Sequence, residues 1–110
     1  MEISTYRRLD AVAIAGLVRA GETDPREVTE AALAAVAGSN PRLNAVVLLD
    51  PDRACLEAAH VDRAAPLAGV PVLIKDNNLF VEGWPTTFSS RFYVGTPPKP
   101  EPMTMTRFPL

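Results

Sequence analysis

The chain holds a single cysteine, Cys55, and a single histidine, His60. A lone thiol excludes an intrachain disulfide. With no second cysteine and no spaced histidine partner there is no metal-ligand pattern either, so no metal site is expected. Positive charge is also short: 11 Lys and Arg face 13 Asp and Glu, for a formal net charge of -2. That balance creates no basic field, which speaks against nucleic acid or an anionic membrane as partner. No apolar run approaches the roughly 20 residues that cross a bilayer. The opening residues Met1–Arg8 lack the basic-then-apolar order of a secretory leader, so the cytoplasm is the expected compartment. Lysine is scarce beside arginine, present only as Lys75 and Lys99.

What is present is a globular composition, 47% hydrophobic and 22% charged over 110 residues, enough for one small domain or a piece of a larger one. Proline is plentiful at 11, and Pro97, Pro98, Pro100, Pro102 and Pro109 crowd the last residues. That spacing prevents a regular packed element, so 99–110 reads as a divergent or truncated tail behind a domain over 1–98.

The first half reads as helical. Asp10 is placed to cap a helix over 11–20, which Gly21 closes. Asp24-Pro25-Arg26-Glu27 combines an N-cap acid, proline in the first turn and glutamate three residues on. The helix it starts carries Val28, Ala31, Ala32, Ala35 and Val36 on one stripe and is predicted to run to Gly38, with Asn40-Pro41 as its stop. Asp50-Pro51-Asp52 starts a third helix, to about Val61, with Ala54, Cys55, Leu56, Ala58 and Ala59 as its apolar set. Between and after these, the period changes. Asn44–Leu49 and Val70–Ile74 are short apolar runs rich in β-branched residues and read as buried strands. Pro66–Gly69 reads as a turn. Strand, helix and strand in this order predict an α/β fold: N-terminal helices plus the first strands of a mixed sheet, with helices packed on it.

The second strand delivers Lys75, followed by Asp76, Asn77 and Asn78. An ammonium group at the end of a buried strand is desolvated, and desolvation favours the neutral amine, which is a base. Arginine could not take that role, because it stays charged. The same residues also read as an ordinary strand exit into solvent, and the pattern alone leaves both readings open. Beyond Phe80, Gly83–Arg91 is a polar loop with Trp84 and Phe88 as apolar anchors. His60 has no partner at catalytic or ligand spacing, and Cys55 reads as a small core residue.

The string Pro66-Leu67-Ala68-Gly69-Val70-Pro71-Val72-Leu73-Ile74-Lys75-Asp76-Asn77 resembles the opening block of the amidase signature family. Gly83-Trp84-Pro85-Thr86-Thr87-Phe88-Ser89-Ser90 resembles its next block, and Asn40-Pro41-Arg42-Leu43-Asn44-Ala45 its helix-to-strand junction. The resemblance spans residues 1–98. It implies hydrolysis of carboxylic amides to acid and ammonia through a serine acyl-enzyme, with Lys75 as the base that acts through a second, bridging serine. It places Thr86, Thr87 and Ser90 in the loop near that lysine. It implies a small-molecule amide substrate and no cofactor.

The family's two serines lie in a downstream glycine- and serine-rich segment. The serines here are Ser4, Ser39, Ser89 and Ser90, and none has a nucleophile-elbow context. Ser89 stands where the family has glycine, while Ser90 matches, and both read as loop residues. The chain is therefore expected to be an incomplete amidase, inactive alone, whether by truncation, frameshift or gene splitting. Alternatives are a piece of a tRNA-dependent amidotransferase of the A type, as fragment or as subunit, and a non-catalytic module that pairs with a complementing C-terminal chain or with its own copies. A product without a role is a further reading, and nothing in these residues selects the substrate.

Overall fold

The computed structural model describes residues 1–77 and 79–95. Asn78 and the tail 96–110, including the predicted segment 99–110, lie outside the described residues. The chain divides into two compact units, one over Met1–Pro71 and one beginning at Val72.

The first unit is helical. Its elements are α1 (Ile3–Tyr6), α2 (Ala11–Ala20), α3 (Pro25–Leu43) and α4 (Pro51–Ala58). Local chemistry sets most of their ends. The Asp10 carboxylate accepts the Ala13 N–H at 2.8 Å, and Gly21 closes α2 in the left-handed region at φ 73°. At α3 the Asp24 side chain accepts the Arg26 N–H at 2.9 Å, while Glu27 reaches back to the Asp24 N–H at 3.3 Å. Together they form the capping box that the sequence predicts. The Thr23 hydroxyl also donates to Glu27 at 2.9 Å, and this bond, with the Asp24 N–H, holds the Glu27 carboxyl below its usual range. Asp50 caps α4 by accepting the Arg53 N–H at 3.0 Å.

Two helix ends differ from expectation. α3 does not stop at Gly38 but continues through Pro41 to Leu43. A proline so near the C-terminus removes one donor from the last turn, and the turn is instead closed by the Asn44 N–H on the Asn40 carbonyl at 2.7 Å. Asn44, at φ 48°, then ends the helix. α4 stops at Ala58, three residues before the predicted Val61, and its end tightens into turns in which the His60 N–H donates to the Glu57 carbonyl and the Val61 N–H to that of Ala58.

The predicted strands and mixed sheet do not form. Neither 44–49 nor 70–74 is a strand, and helices and turns make up all regular structure among the described residues. A strand needs a ladder partner for its backbone groups, and neither run has one here. At Val46 the Asn40 carboxamide supplies both bonds instead, its Nδ2 donating to the Val46 carbonyl and its Oδ1 accepting the Val46 N–H, each at 2.9 Å. The apolar residues predicted to be buried are exposed: Val47, Leu48, Leu49, Val72, Leu73 and Ile74 all face solvent. The α/β expectation is thus corrected to an all-helical arrangement of the described residues.

The core of the first unit is small. Ile14 and Val18 from α2 and Val28 from α3 meet Ala65 and Ala68 from the loop after α4, with Met1, Tyr6, Leu9, Val61 and Val70 around them. Val18 and Val28 are the largest side chains fully removed from solvent. Each contributes about 1.5–3 kcal/mol by area, so the loop alanines matter as cover for them. The loop is held from three sides. The Arg63 guanidinium donates to the Val18 carbonyl at 3.3 Å and pairs with the Asp24 carboxylate at 2.7 Å. Arg19 donates to the carbonyls of Ala65 and Pro66 at 3.3 Å. Gly69, at φ 69°, lets the backbone pass over α2 and α3, since a Cβ there would lie 3.1 Å from Val18 Cγ2 and 3.2 Å from Pro25 Cβ. The turn read at Pro66–Gly69 thus delivers Ala68 to the core, and Ala68-Gly69-Val70 has a packing reason of its own, while Leu67 is exposed.

Candidate functional site

The second unit carries Lys75 and the loop 79–95. Its course is set by short turns rather than by long elements. Lys75 leaves the exposed run Val72-Leu73-Ile74 and is itself exposed. The desolvation expected from a buried strand is therefore absent, because the strand is absent. The residue keeps its candidacy from the motif around it and not from burial. Its ammonium group has no hydrogen bond or ion pair among the described residues.

Directly after it the chain reverses. The Asn77 N–H donates to the Lys75 carbonyl at 2.7 Å, a one-residue turn centred on Asp76. The Asp76 carboxylate then reaches across the loop. Thr87 donates its N–H to Oδ1 at 2.6 Å and its hydroxyl to Oδ2. The Thr87 hydroxyl holds the Asp76 carboxyl below the usual aspartate range; burial opposes this, and the N–H groups of Thr87, Phe88 and Ser89 add to it. Phe88 and Ser89 sit at φ 53° and 57°, in the left-handed region, which turns successive N–H groups toward one point.

The other expected loop residues have defined roles close by. The Thr86 hydroxyl donates to the Leu79 carbonyl at 3.3 Å. The Ser90 N–H donates to the Thr87 carbonyl at 2.9 Å, and its hydroxyl accepts the Phe92 N–H at 3.3 Å, capping the 3-10 turn Arg91–Tyr93. Phe88 lies edge-on to Phe80 with ring centres 6.0 Å apart, and 5.4 Å from the Tyr93 ring. Trp84 is half-buried, and its N–H closes a turn on the Val81 carbonyl at 3.0 Å.

The structure thus gathers Thr86, Thr87 and Ser90 into one hydrogen-bonded loop and ties that loop to the residue after Lys75. It assigns the Ser90 hydroxyl to a turn cap. His60 belongs to the first unit, where its Nδ1 lies 2.8 Å from the Leu56 carbonyl at the end of α4, and Cys55 is half-buried on the same helix. No group of three metal-ligating side chains occurs among the described residues, and no helix there is long and apolar enough to cross a membrane. The residue that pattern reading passes over is Asp76. Its partner is 11 positions away across a loop without periodicity, so the pairing leaves no signal beyond the Lys-Asp-Asn string itself.

A family model described as Amidase matches residues 27–107, more than half of the chain and the whole of this region. Among curated proteins, the A-type subunit of glutamyl-tRNA(Gln) amidotransferase from Salinispora arenicola is 42% identical over 97 residues, covering 82% of this chain and 20% of the relative. The protein of the same description from Acidothermus cellulolyticus is 37% identical over 100 residues, covering 84% and 20%. An acylamidase from Rhodococcus erythropolis is 36% identical over 90 residues, covering 76% and 19%. The chain therefore spans about a fifth of the length of these relatives. No solved structure matches it.

Proposed function

The chain belongs to the amidase family, and on that premise we propose that it contributes the lysine base of a serine-dependent amide hydrolase. The observation that carries the reading is the string Leu67–Asn77, with Lys75 inside the family match. In the reaction, a serine oxygen attacks the amide carbonyl, the tetrahedral adduct expels its nitrogen as ammonia with a proton returned from the lysine, and water hydrolyses the resulting acyl-enzyme to the acid and free serine. The nucleophile's proton passes to a bridging serine, and from there to the neutral amine of Lys75. Both serines would come from outside the four present here, since Ser89 and Ser90 are committed to the loop's own turns and Ser4 and Ser39 lie apart from the motif.

Residues 1–98 would form the first part of such an enzyme. The chain alone would be inactive in the cytoplasm, its expected compartment, until a complementing polypeptide supplies the serines. The exposed run Val72-Leu73-Ile74 supports that need for a partner. Two of the relatives described above are A-type subunits of an amidotransferase acting on glutamyl-tRNA(Gln), and this supports a second reading. In it the same lysine serves ammonia transfer, and the substrate is set elsewhere.

The test is to join residues 1–98 to the serine-bearing remainder of the acylamidase relative and measure ammonia released from simple carboxamides. Turnover that falls about 10³-fold or more in Lys75→Ala and Lys75→Arg is expected. A Lys75→Arg chimera as active as its parent would refute the base assignment. Amide turnover by the 110-residue chain alone, lost in Lys75→Ala, would refute the need for outside serines.

A further inference from the structure

A turn that points consecutive backbone N–H groups at one spot attracts an anion. The turn at Thr87–Ser89 does this through two non-glycine residues in the left-handed region, Phe88 at φ 53° and Ser89 at φ 57°. The anion it holds is the chain's own. Thr87 gives Asp76 its N–H at 2.6 Å and its hydroxyl, and the N–H groups of Phe88 and Ser89 add to the pull that keeps the same carboxyl ionised.

The position of that carboxylate in the chain is what matters. The peptide immediately before Asp76 is that of Lys75, and the Lys75 carbonyl is pinned on its other side by the Asn77 N–H at 2.7 Å. The Lys75 side chain is exposed and has no polar partner of its own among the described residues. An unpaired side chain with four rotatable bonds holds a direction only as well as its backbone does.

We propose that Asp76 is a positioning residue, whose carboxylate, seated in the Thr87–Ser89 turn, fixes the backbone of Lys75 and so the direction in which the Lys75 amine leaves the chain. The inference rests on the reading of Lys75 as the base and deepens it. Carboxylate and hydroxyl are both required. A carboxamide at position 76 keeps the shape but replaces an acceptor oxygen with a donor that faces other donors.

The experiment uses the 110-residue chain in four forms: wild type, Asp76→Asn, Thr87→Val and Thr87→Ser. Amide exchange is measured at Thr87, Phe88 and Ser89, together with backbone order at Lys75. Both lysine amines are labelled competitively with a small acylating reagent across pH, Lys99 serving as the internal reference and the urea-unfolded chain as the unpositioned standard. Wild type and Thr87→Ser are expected to protect the three amides and to order Lys75. Asp76→Asn and Thr87→Val are expected to lose roughly tenfold or more of that protection. Their labelling ratio should move roughly threefold toward the unfolded value, while Thr87→Ser retains the native ratio. Thr87→Val removes only a hydroxyl, so it remains informative if Asp76→Asn unfolds the unit. The proposal is overturned if Lys75 stays ordered with an unchanged labelling profile when the carboxylate or hydroxyl is lost, or if Thr87→Ser behaves as Thr87→Val does. No turnover is read, so a failed base assignment in the chimera leaves this result standing, and a failed clamp leaves that assignment standing.

Discussion

Replacing Gly69 by alanine tests whether the motif string is a packing device as well as a signature. The new Cβ would lie 3.1 Å from Val18 Cγ2 and 3.2 and 3.3 Å from Pro25 Cβ and Cγ. Neither neighbour can retreat easily. Val18 is fully buried and β-branched in a helix, where one rotamer dominates. Pro25 is buried in the first turn of α3, behind the Asp24–Glu27 capping box. The substitution therefore has two costs, about 1–2 kcal/mol for a side chain at positive φ and about 1–3 kcal/mol for overpacking. Reduced freedom of the unfolded chain returns about 0.4–1 kcal/mol, leaving a net loss of about 1–4.5 kcal/mol. Gly21→Ala is the control, because it shares the backbone conformation at φ 73° but meets nothing within 4 Å. It should lose only about 0–1.5 kcal/mol.

Urea and thermal unfolding followed by helical circular dichroism measure both, and Gly69→Ala should melt about 5 °C or more below wild type. In a Val18→Ala background the steric part should shrink, so the two substitutions should be non-additive by about 1 kcal/mol. Equal losses for Gly69→Ala and Gly21→Ala, or strict additivity with Val18→Ala, would refute the reasoning.

The remaining predictions concern single contacts. Asp24→Ala removes the α3 cap and the Arg63 partner at 2.7 Å together, and should cost about 1–2 kcal/mol in urea unfolding, with Arg63→Ala less harmful because the cap survives it. The Asp76 carboxyl titrates below its ordinary value of 3.8 in the folded state. Its unfolded value is the higher one, so the stabilisation is complete above that value and is lost as pH falls through the folded one. Fluorescence of Trp84, the single tryptophan, should report a loop transition below pH 3.8 that Asp76→Asn lacks. Leu73→Lys, at a site 73% exposed, should change the stability of this chain by less than about 0.5 kcal/mol yet lower yield in the chimera. A large loss of stability in the chain alone would show that Leu73 is covered.

What could be read from residue order alone was whatever is decided within one turn of chain. The caps at Asp10 and Asp24, the proline start at Pro25 and the Gly21 stop each join groups two to five residues apart, and each is found where predicted. The family was legible for a related reason, since the Leu67–Asn77 string is long and contiguous and needs no knowledge of distant contacts. The strands were not, because β-branched composition states what suits a pleated surface and not whether a partner is present. At 44–49 one backbone pair was taken by the Asn40 side chain, and at 70–74 the run stayed exposed.

Residue order left three further matters open. Pro41 stays inside α3 because one missing donor in a last turn costs little once Asn40 and Asn44 close it. The loop after α4 became core because Arg63 within it reaches the Val18 carbonyl and Arg19 of α2 reaches the Ala65 carbonyl, each across more than forty residues of chain. Asp76, unremarked as a residue type, met the Thr87–Ser89 turn across a loop. Bonds within a turn form at almost any global arrangement of the chain and so leave a local imprint. Bonds that close long loops must first overcome chain entropy, and only the assembled packing determines which of them do.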